Sequence, residues 1–340
     1  MAKGKKRSNT KVEQDKYLLG LDLGGTKILA AVVDSDGKIV GEAKKRTQAS
    51  LGPDKVIDRI VETASEAITD SEVRPKDMLA AGIGAPAPVD VQTGTVFAPP
   101  NLPGWDVVPL GDLLEKGLGI PVIVDNDVNL GTFGEHELGA GRGTRHMVGI
   151  FVGTGVGGGV IVNGKLHRGI RYSAGEVGHM IMVPDGPLCG CGRRGCLEAL
   201  ASRTAMERDV RAAMAAGRPT VVGDLMAASG RDRLTSGTIK KAVKAGDEVM
   251  IEVIGKAQYY LGLLSANLVD FMDPEMLVFG GGVVEALGES FLEPIRTTAR
   301  SYFLQQRDMD KVKFAPATLG DYAGVLGAAM LAAQMVDGEV

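Results

Sequence analysis

Tyr17-Leu18-Leu19-Gly20-Leu21-Asp22-Leu23-Gly24-Gly25-Thr26-Lys27 opens a pattern that the 340-residue chain uses twice. The apolar run to Asp22 reads as a short buried strand broken by Gly24-Gly25. A second strand follows over Ile28–Asp34, then the turn Ser35-Asp36-Gly37, then a third strand around Lys38–Lys45. An Asp-Gly pair between two apolar runs is a strong hairpin signal. The second copy begins with a strand over Met147–Val152 and a glycine-rich turn over Gly153–Gly159. A strand over Val160–Val162, the turn Asn163-Gly164 and a further strand from Lys165 to Arg168 complete it. Helical periodicity fills the spaces between, over Val56–Ile68, Arg203–Ala216, Glu248–Val269 and Ala323–Met335.

Two strand–glycine turn–strand–hairpin units separated by helices predict an α/β fold with a mixed sheet in each half and a cleft between them. The expected division is a first domain over residues 17–133 and a second over 134–321, with the hinge near Leu130–Gly143. The C-terminal helix, 322–337, is expected to return to the first domain, because its Ala and Gly residues permit close approach.

Composition narrows the function. The net charge is −4, which gives no reason to expect a nucleic-acid partner. Residues 1–16 are polar and rich in Lys and Arg, and read as a solvated, disordered tail without the apolar stretch of a secretory signal. No apolar run is long enough to span a bilayer as a helix. The three cysteines fall between Cys189 and Cys196. An odd, clustered set suits thiolate metal ligation in a reducing, cytoplasmic setting better than a disulfide framework.

The first glycine turn, Asp22-Leu23-Gly24-Gly25-Thr26-Lys27, offers backbone N–H groups and a hydroxyl to phosphate oxygens, with Asp22 placed to hold Mg²⁺ directly or through water. The competing reading is an ordinary hairpin turn ending in an acid. The second turn matches G-x-G-x-x-G at Gly153, Gly155 and Gly158. The dinucleotide fingerprint requires a helix next, and Val160–Val162 is a strand, so that reading fails. Gly159–Lys165 spells G-x-x-x-x-G-K, but Leu166 replaces the required Ser or Thr. A third cluster, Gly280-Gly281-Gly282, follows the strand Met276–Phe279 and reads equally as the start of a helix under a nucleotide or as a plain turn.

His179 with Cys189, Cys191 and Cys196 makes a complete tetrahedral set for Zn²⁺ with no position left for water, hence a structural site. A zinc-bound His179 would aim its second ring nitrogen in a fixed direction. Glu176 and Glu198 flank the same loop and suit recognition of vicinal hydroxyls, whereas either alone would be a solvated charge. Asn101, on the proline-bounded loop Pro99–Trp105, is a further candidate. At the end of the strand Pro121–Val124 stands Asp125-Asn126-Asp127-Val128-Asn129. These residues commonly form a helix cap. Their place between the two phosphate units makes Asp127 the candidate base for a phosphoryl acceptor.

Together these residues resemble the ROK family of sugar kinases and repressors. The most specific stretches are Gly175-Glu176-Val177-Gly178-His179 and Cys189-Gly190-Cys191-Gly192-Arg193-Arg194-Gly195-Cys196-Leu197-Glu198. The resemblance implies a pair of actin-like ATPase domains of ribonuclease-H-like fold, Asp127 as the base, and Asn101, Asn126, Glu176, His179 and Glu198 on sugar hydroxyls. It further assigns Asp22–Thr26, and Thr154 with Gly155, to phosphate, and implies ATP, Mg²⁺, a dimer or tetramer, and a bacterial-glucokinase type of reaction. Lys27, Gly281 and Gly282 complete the expected nucleotide set. Ala85-Pro86-Ala87-Pro88 and Val128–Glu135 depart from the usual family pattern. Alternatives are a kinase for fructose, mannose, allose or an N-acetylhexosamine, polyphosphate as donor, a catalytically silent sugar binder, and a repressor. A repressor would carry a helix-turn-helix domain, for which the residues before Tyr17 are too few.

Overall fold

The computed structural model describes residues 16–86, 88–99 and 101–338. Residues 1–15, with the expectation of a disordered tail that falls on them, and Ala87, Pro100 and residues 339–340 lie outside the described residues.

The first half begins with three strands, β1 (Tyr17–Leu23), β2 (Lys27–Val33) and β3 (Ile39–Arg46). Helix α1 (Pro53–Asp70) follows, then β4 (Met78–Ala85) and a small antiparallel sheet of β5 (Val89–Asp90), β6 (Thr95–Phe97) and β7 (Val107–Pro109). Helix α2 (Leu110–Leu118), β8 (Val122–Asn126) and α3 (Asp127–Glu137) close this half. Its main sheet runs β3-β2-β1-β4-β8, with β1 antiparallel to β2 and parallel to β4. Helix α1 buries Val56, Ile57, Ile60, Ala64 and Ala67, a three-to-four spacing that turns one apolar stripe to the sheet.

The second half repeats the plan. Strands β9 (Met147–Val152), β10 (Val156–Val162) and β11 (Lys165–Leu166) precede the helices α4 (Glu198–Ala201), α5 (Arg203–Ala215), α6 (Val222–Ala228), α7 (Ser236–Lys244) and α8 (Glu248–Met272). Then come β12 (Met276–Gly280), α9 (Gly282–Leu287), α10 (Glu289–Tyr302), β13 (Lys313–Pro316) and α11 (Ala323–Asp337). The sheet order is β11-β10-β9-β12-β13, again with the hairpin partner antiparallel and β9, β12 and β13 parallel. Two sheets of the same order and sense form the paired ribonuclease-H-like arrangement.

One sequence expectation needs correction. The glycine-rich turn over Gly153–Gly159 is only Gly153–Gly155, because β10 starts at Val156. Gly157, Gly158 and Gly159 are strand residues that admit close neighbours. A Cβ on them would sit 2.7 Å from Val128, 2.6 Å from Val177 and 2.5 Å from Thr132. The strand expected from Lys165 to Arg168 stops at Leu166.

Helix α3 contacts β4 and β8 on one side and β9 and β10 on the other, and position 133/134 falls within it. Helix α11 lies on β1, β4 and α3. Its approach is backbone to backbone: a side chain at Gly20 would meet the Val325 carbonyl at 1.9 Å, and one at Gly82 the Ala328 carbonyl at 2.0 Å. Buried Glu135 at the end of α3 accepts hydrogen bonds from the Thr318 and Leu319 N–H groups, at 2.9 and 2.7 Å, and so ties the helix to the segment before α11.

Candidate active site

The parallel strands of each sheet end at the cleft, where their last residues escape the ladder and present polar groups. In the first sheet the register places Asp22 beside Gly84 and Gly84 beside Asp125. Gly84 is needed there. A Cβ would stand 3.1 Å from the Asp127 Cα, so its absence lets the start of α3 lie over the strand ends and brings Asp127 toward Asp22.

Asp22 and Asp127 are half-buried at the strand ends. Burial pushes the Asp127 carboxyl up to about 7; the charge of Asp22 adds to the rise, backbone N–H groups led by that of Val128 oppose it, and Glu176 adds a smaller share. Burial likewise pushes Asp22 up to about 6, opposed by the charge of Lys27 and reinforced by Asp321. Two acids under mutual repulsion titrate as a pair. A buried acid with excess negative charge around it is also a fitting place for a divalent cation.

Two contacts tie the first phosphate turn to its surroundings. Lys27 Nζ donates to Asp321 at 2.7 Å, and the Thr47 hydroxyl donates to the Gly24 carbonyl at 2.5 Å. Glu285 of α9 is raised by burial and by the charge of Asp321, which brings acids from both halves around Lys27. Asn126 supplies the helix cap: its Oδ1 accepts from the Val128 and Asn129 N–H groups at 2.9 and 3.1 Å.

A cavity of about 660 Å³ gathers Asn101, Thr154, Gly155, His179, Cys189, Cys191 and Glu198. Its wall also includes Ser202, Thr204 and Arg208 of the α4–α5 region, which no sequence motif singled out. Asp22, Asp127, Asn126, Glu176, Gly281 and Gly282 do not line it. Close approaches nonetheless tie both glycine turns to the cavity wall. A Cβ on Gly25 would lie 2.9 Å from the Asn101 Cβ, so the first phosphate turn backs onto Asn101. A Cβ on Gly155 would lie 2.3 Å from Glu198 Oε2, and the same oxygen accepts from the Val156 N–H at 3.1 Å. Each phosphate turn therefore touches one candidate sugar ligand.

Arg203 is the cation that sequence reading missed. Its Nη2 donates to the Thr154 hydroxyl at 2.6 Å, and its Nη1 to Ser236 Oγ at 3.4 Å. A Cβ on Gly282 would stand 2.9 Å from that Ser236 oxygen. Gly281, at φ 88°, turns the chain from β12 into α9, and a side chain there would strike the Val152 backbone.

His179, Cys189, Cys191 and Cys196 place their ligand atoms within 4.8 Å of one another. Three sulfurs and an imidazole so close fit a tetrahedral zinc ion. Gly192 and Gly195, at φ 83° and 75°, fold the loop back on itself, and the Cys189 N–H donates to the Arg193 carbonyl at 2.8 Å. The Cys189 sulfur lies 3.4 Å from Glu198 Oε1, so the metal loop abuts the same carboxylate that the second phosphate turn holds.

The model of the ROK family matches residues 18–335 of this chain. A glucokinase of Halalkalibacterium halodurans is 36% identical over 324 residues, covering 94% of this chain and 96% of its own. A glucokinase of Thermotoga maritima is 35% identical over 321 residues, covering 94% and 98%. The crystal structure of a ROK family glucokinase from Streptomyces griseus, in complex with glucose and AMPPNP, superposes with a TM-score of 0.81. It is 36% identical, and the match covers 94% of this chain and 99% of that one.

Proposed function

Because the chain belongs to the ROK family, we propose that it is an ATP-dependent glucokinase, moving the γ-phosphate of ATP to the 6-hydroxyl of glucose. The observation that carries this reading is the cavity in which Asn101, His179 and Glu198 meet the second phosphate turn. Polar groups of that kind suit a polyol set against a phosphate donor.

In this mechanism Asn101, Asn126, Glu176, His179 and Glu198 hold the hydroxyls of the hexose. The backbone of Gly24, Gly25 and Thr26, together with Thr154 and Gly155, cradles the triphosphate, with Lys27, Gly281 and Gly282 completing the nucleotide side. Asp22 would hold Mg²⁺, which offsets phosphate charge when bound. Asp127 accepts the hydroxyl proton at its carboxylate as the new oxygen–phosphorus bond forms and the bond to ADP breaks. Sugar binding draws the two halves together, which brings Asp127 and Glu176 to the cavity from which they now stand apart and excludes water. His179, Cys189, Cys191 and Cys196 would hold zinc as a structural brace that fixes the direction of His179 and Glu198.

No helix among the described residues is long and apolar enough to cross a membrane. The thiol ligands suit a reducing cytoplasm. Phe271, Tyr302 and Leu304 are exposed, as is Tyr259, whose hydroxyl lies 3.4 Å from that of Tyr302. Exposed apolar side chains of this size support a homodimer or homotetramer.

The test is ADP release from Mg-ATP across a hexose panel. Glucose should give the highest kcat/KM. Preference for mannose, fructose or an N-acetylhexosamine would keep the chemistry and move the substrate assignment, whereas no turnover on any hexose would overturn the reading.

A further inference from the structure

Asp125 was read from the sequence only as part of a capping cluster, and the mechanism above leaves it unused. Its carboxylate is buried, at 1% exposure, two residues from Asp127 and near the end of β8, just before α3. All of its bonding is directed. Oδ1 accepts from the Asn126 N–H at 2.7 Å and from Asn129 Nδ2 at 3.1 Å, which fixes both ends of the first turn of α3. Oδ2 accepts from Arg168 Nε at 2.6 Å. Arg168 comes from the other half of the molecule, just past β11. Its carbonyl accepts from the Ala174 N–H at 3.0 Å, closing the loop that leads directly to Gly175 and Glu176.

We propose that the Asp125–Arg168 pair is a positioning device: it fixes the start of α3, and with it Asp127, relative to the loop that carries Glu176. The inference rests on the kinase reading. Neither residue is placed to touch substrate, so both act through Asp127. The pair is enclosed enough to transmit position. A carboxylate at this depth is stable only with its counter-charge, and loss of either partner leaves the other buried and uncompensated. Behind the pair lies a cavity of about 520 Å³ lined by Arg168, Glu115, Tyr172 and Thr93, and Arg168 Nη2 has no protein partner among the described residues. Among the described residues the ion pair of this guanidinium is the one with Asp125, and it joins the two halves at this point.

The test uses the full chain and the variants Arg168→Gln, Asp125→Asn, their double, and Arg168→Lys. Steady-state kinetics with the best hexose are combined with sugar binding read from Trp105, the sole tryptophan, which is buried four residues after Asn101. A shift of about 1 Å in a reacting group costs up to about 10²-fold in rate, so each single variant should lower kcat about 10- to 100-fold. Hexose Kd should rise by less than kcat falls, because Asn101, His179 and Glu198 lie outside the two segments that the pair holds, whereas Asn126 and Glu176 lie within them. The double variant should be no worse than the poorer single, since both remove one contact. Arg168→Lys, which keeps the charge without the planar fork, should recover part of the loss. Amides of residues 122–132 should exchange with deuterium at least about tenfold faster in Arg168→Gln.

A kcat within about twofold of wild type, a loss that appears wholly in sugar affinity, or single effects that multiply in the double would overturn the proposal. Where Arg168→Gln does not fold, Arg168→Lys carries the same comparison. A wild type without hexose turnover would sink the kinase reading instead. In that case unchanged amide exchange over residues 122–132 would sink the pair as well, and faster exchange would uphold its positioning role.

Discussion

The two sheets share one strand order, yet the turns that leave their first strands differ in chemistry. The turn after β1 is flanked by Asp22 at the end of that strand and Lys27 at the start of β2, and Asp22 lies near Asp127. The turn after β9, Gly153-Thr154-Gly155, has no ionisable side chain and takes its rigidity from neighbours. Arg203 bonds Thr154, and Glu198 bonds the N–H of Val156. On the proposed mechanism the first half carries the proton acceptor and the Mg²⁺ ligand, while the second carries the zinc set and three of the five sugar ligands, Glu176, His179 and Glu198. What the halves retain in common is steric: Gly25 backs onto Asn101 as Gly155 backs onto Glu198.

The largest effect expected from this division is on the side of the proton acceptor. Asp127→Asn should lower kcat by about 10²–10⁴-fold, the range of a lost general base, with hexose affinity nearly unchanged. It should also stabilise the fold. A carboxylate whose folded-state pKa is raised holds its proton longer than the unfolded chain does. Its contribution to stability therefore falls as pH rises from the ordinary carboxylate range through about 7. At pH 8 the Asn variant should melt a few degrees above wild type, on the order of ~1 kcal/mol, and at pH 4 the two should converge. A lower melting temperature at pH 8 would show that Asp127 is compensated in the folded state and would weaken the contrast between the halves. The same titration predicts that wild-type kcat/KM for the hexose declines as pH drops below about 7, as Asp127 takes up its proton.

Zinc removal probes the other side. Chelation should abolish hexose binding measured from Trp105 while much of the nucleotide affinity survives, because His179 and Glu198 depend on the loop and the first phosphate turn does not. Equal loss of both ligands would mean that the metal supports the whole second half and not the substrate wall alone.

The smallest effect sharpens the steric parallel. Gly155→Ala and Gly25→Ala should each raise hexose KM about tenfold, corresponding to ~1.4 kcal/mol, by displacing Glu198 or Asn101. Gly155→Ala meets the end of a flexible side chain and Gly25→Ala a Cβ. The second should therefore be the less forgiving, and a reversed order would break the parallel.

The sequence by itself determined the architecture. Strand–turn–hairpin units starting at Tyr17 and Met147 are local events, set by alternating apolar runs, Asp-Gly and Asn-Gly turns and helical periodicity. The cysteine spacing likewise announced a metal loop before any fold was known. Sequence went astray where glycine serves packing instead of turning. Gly157–Gly159 have the letters of a loop and the environment of a strand, because what removes their side chains is Val128, Thr132 and Val177, remote in sequence. Only the tertiary structure decided which residues meet. Arg203 against Thr154, Arg168 against Asp125, and Asp321 against Lys27 are pairings over separations of 49, 43 and 294 residues. The raised carboxyls of Asp22 and Asp127 are of the same kind. Burial and mutual repulsion are properties of a place in space, and that place exists only after the sheets have brought their strand ends to one cleft.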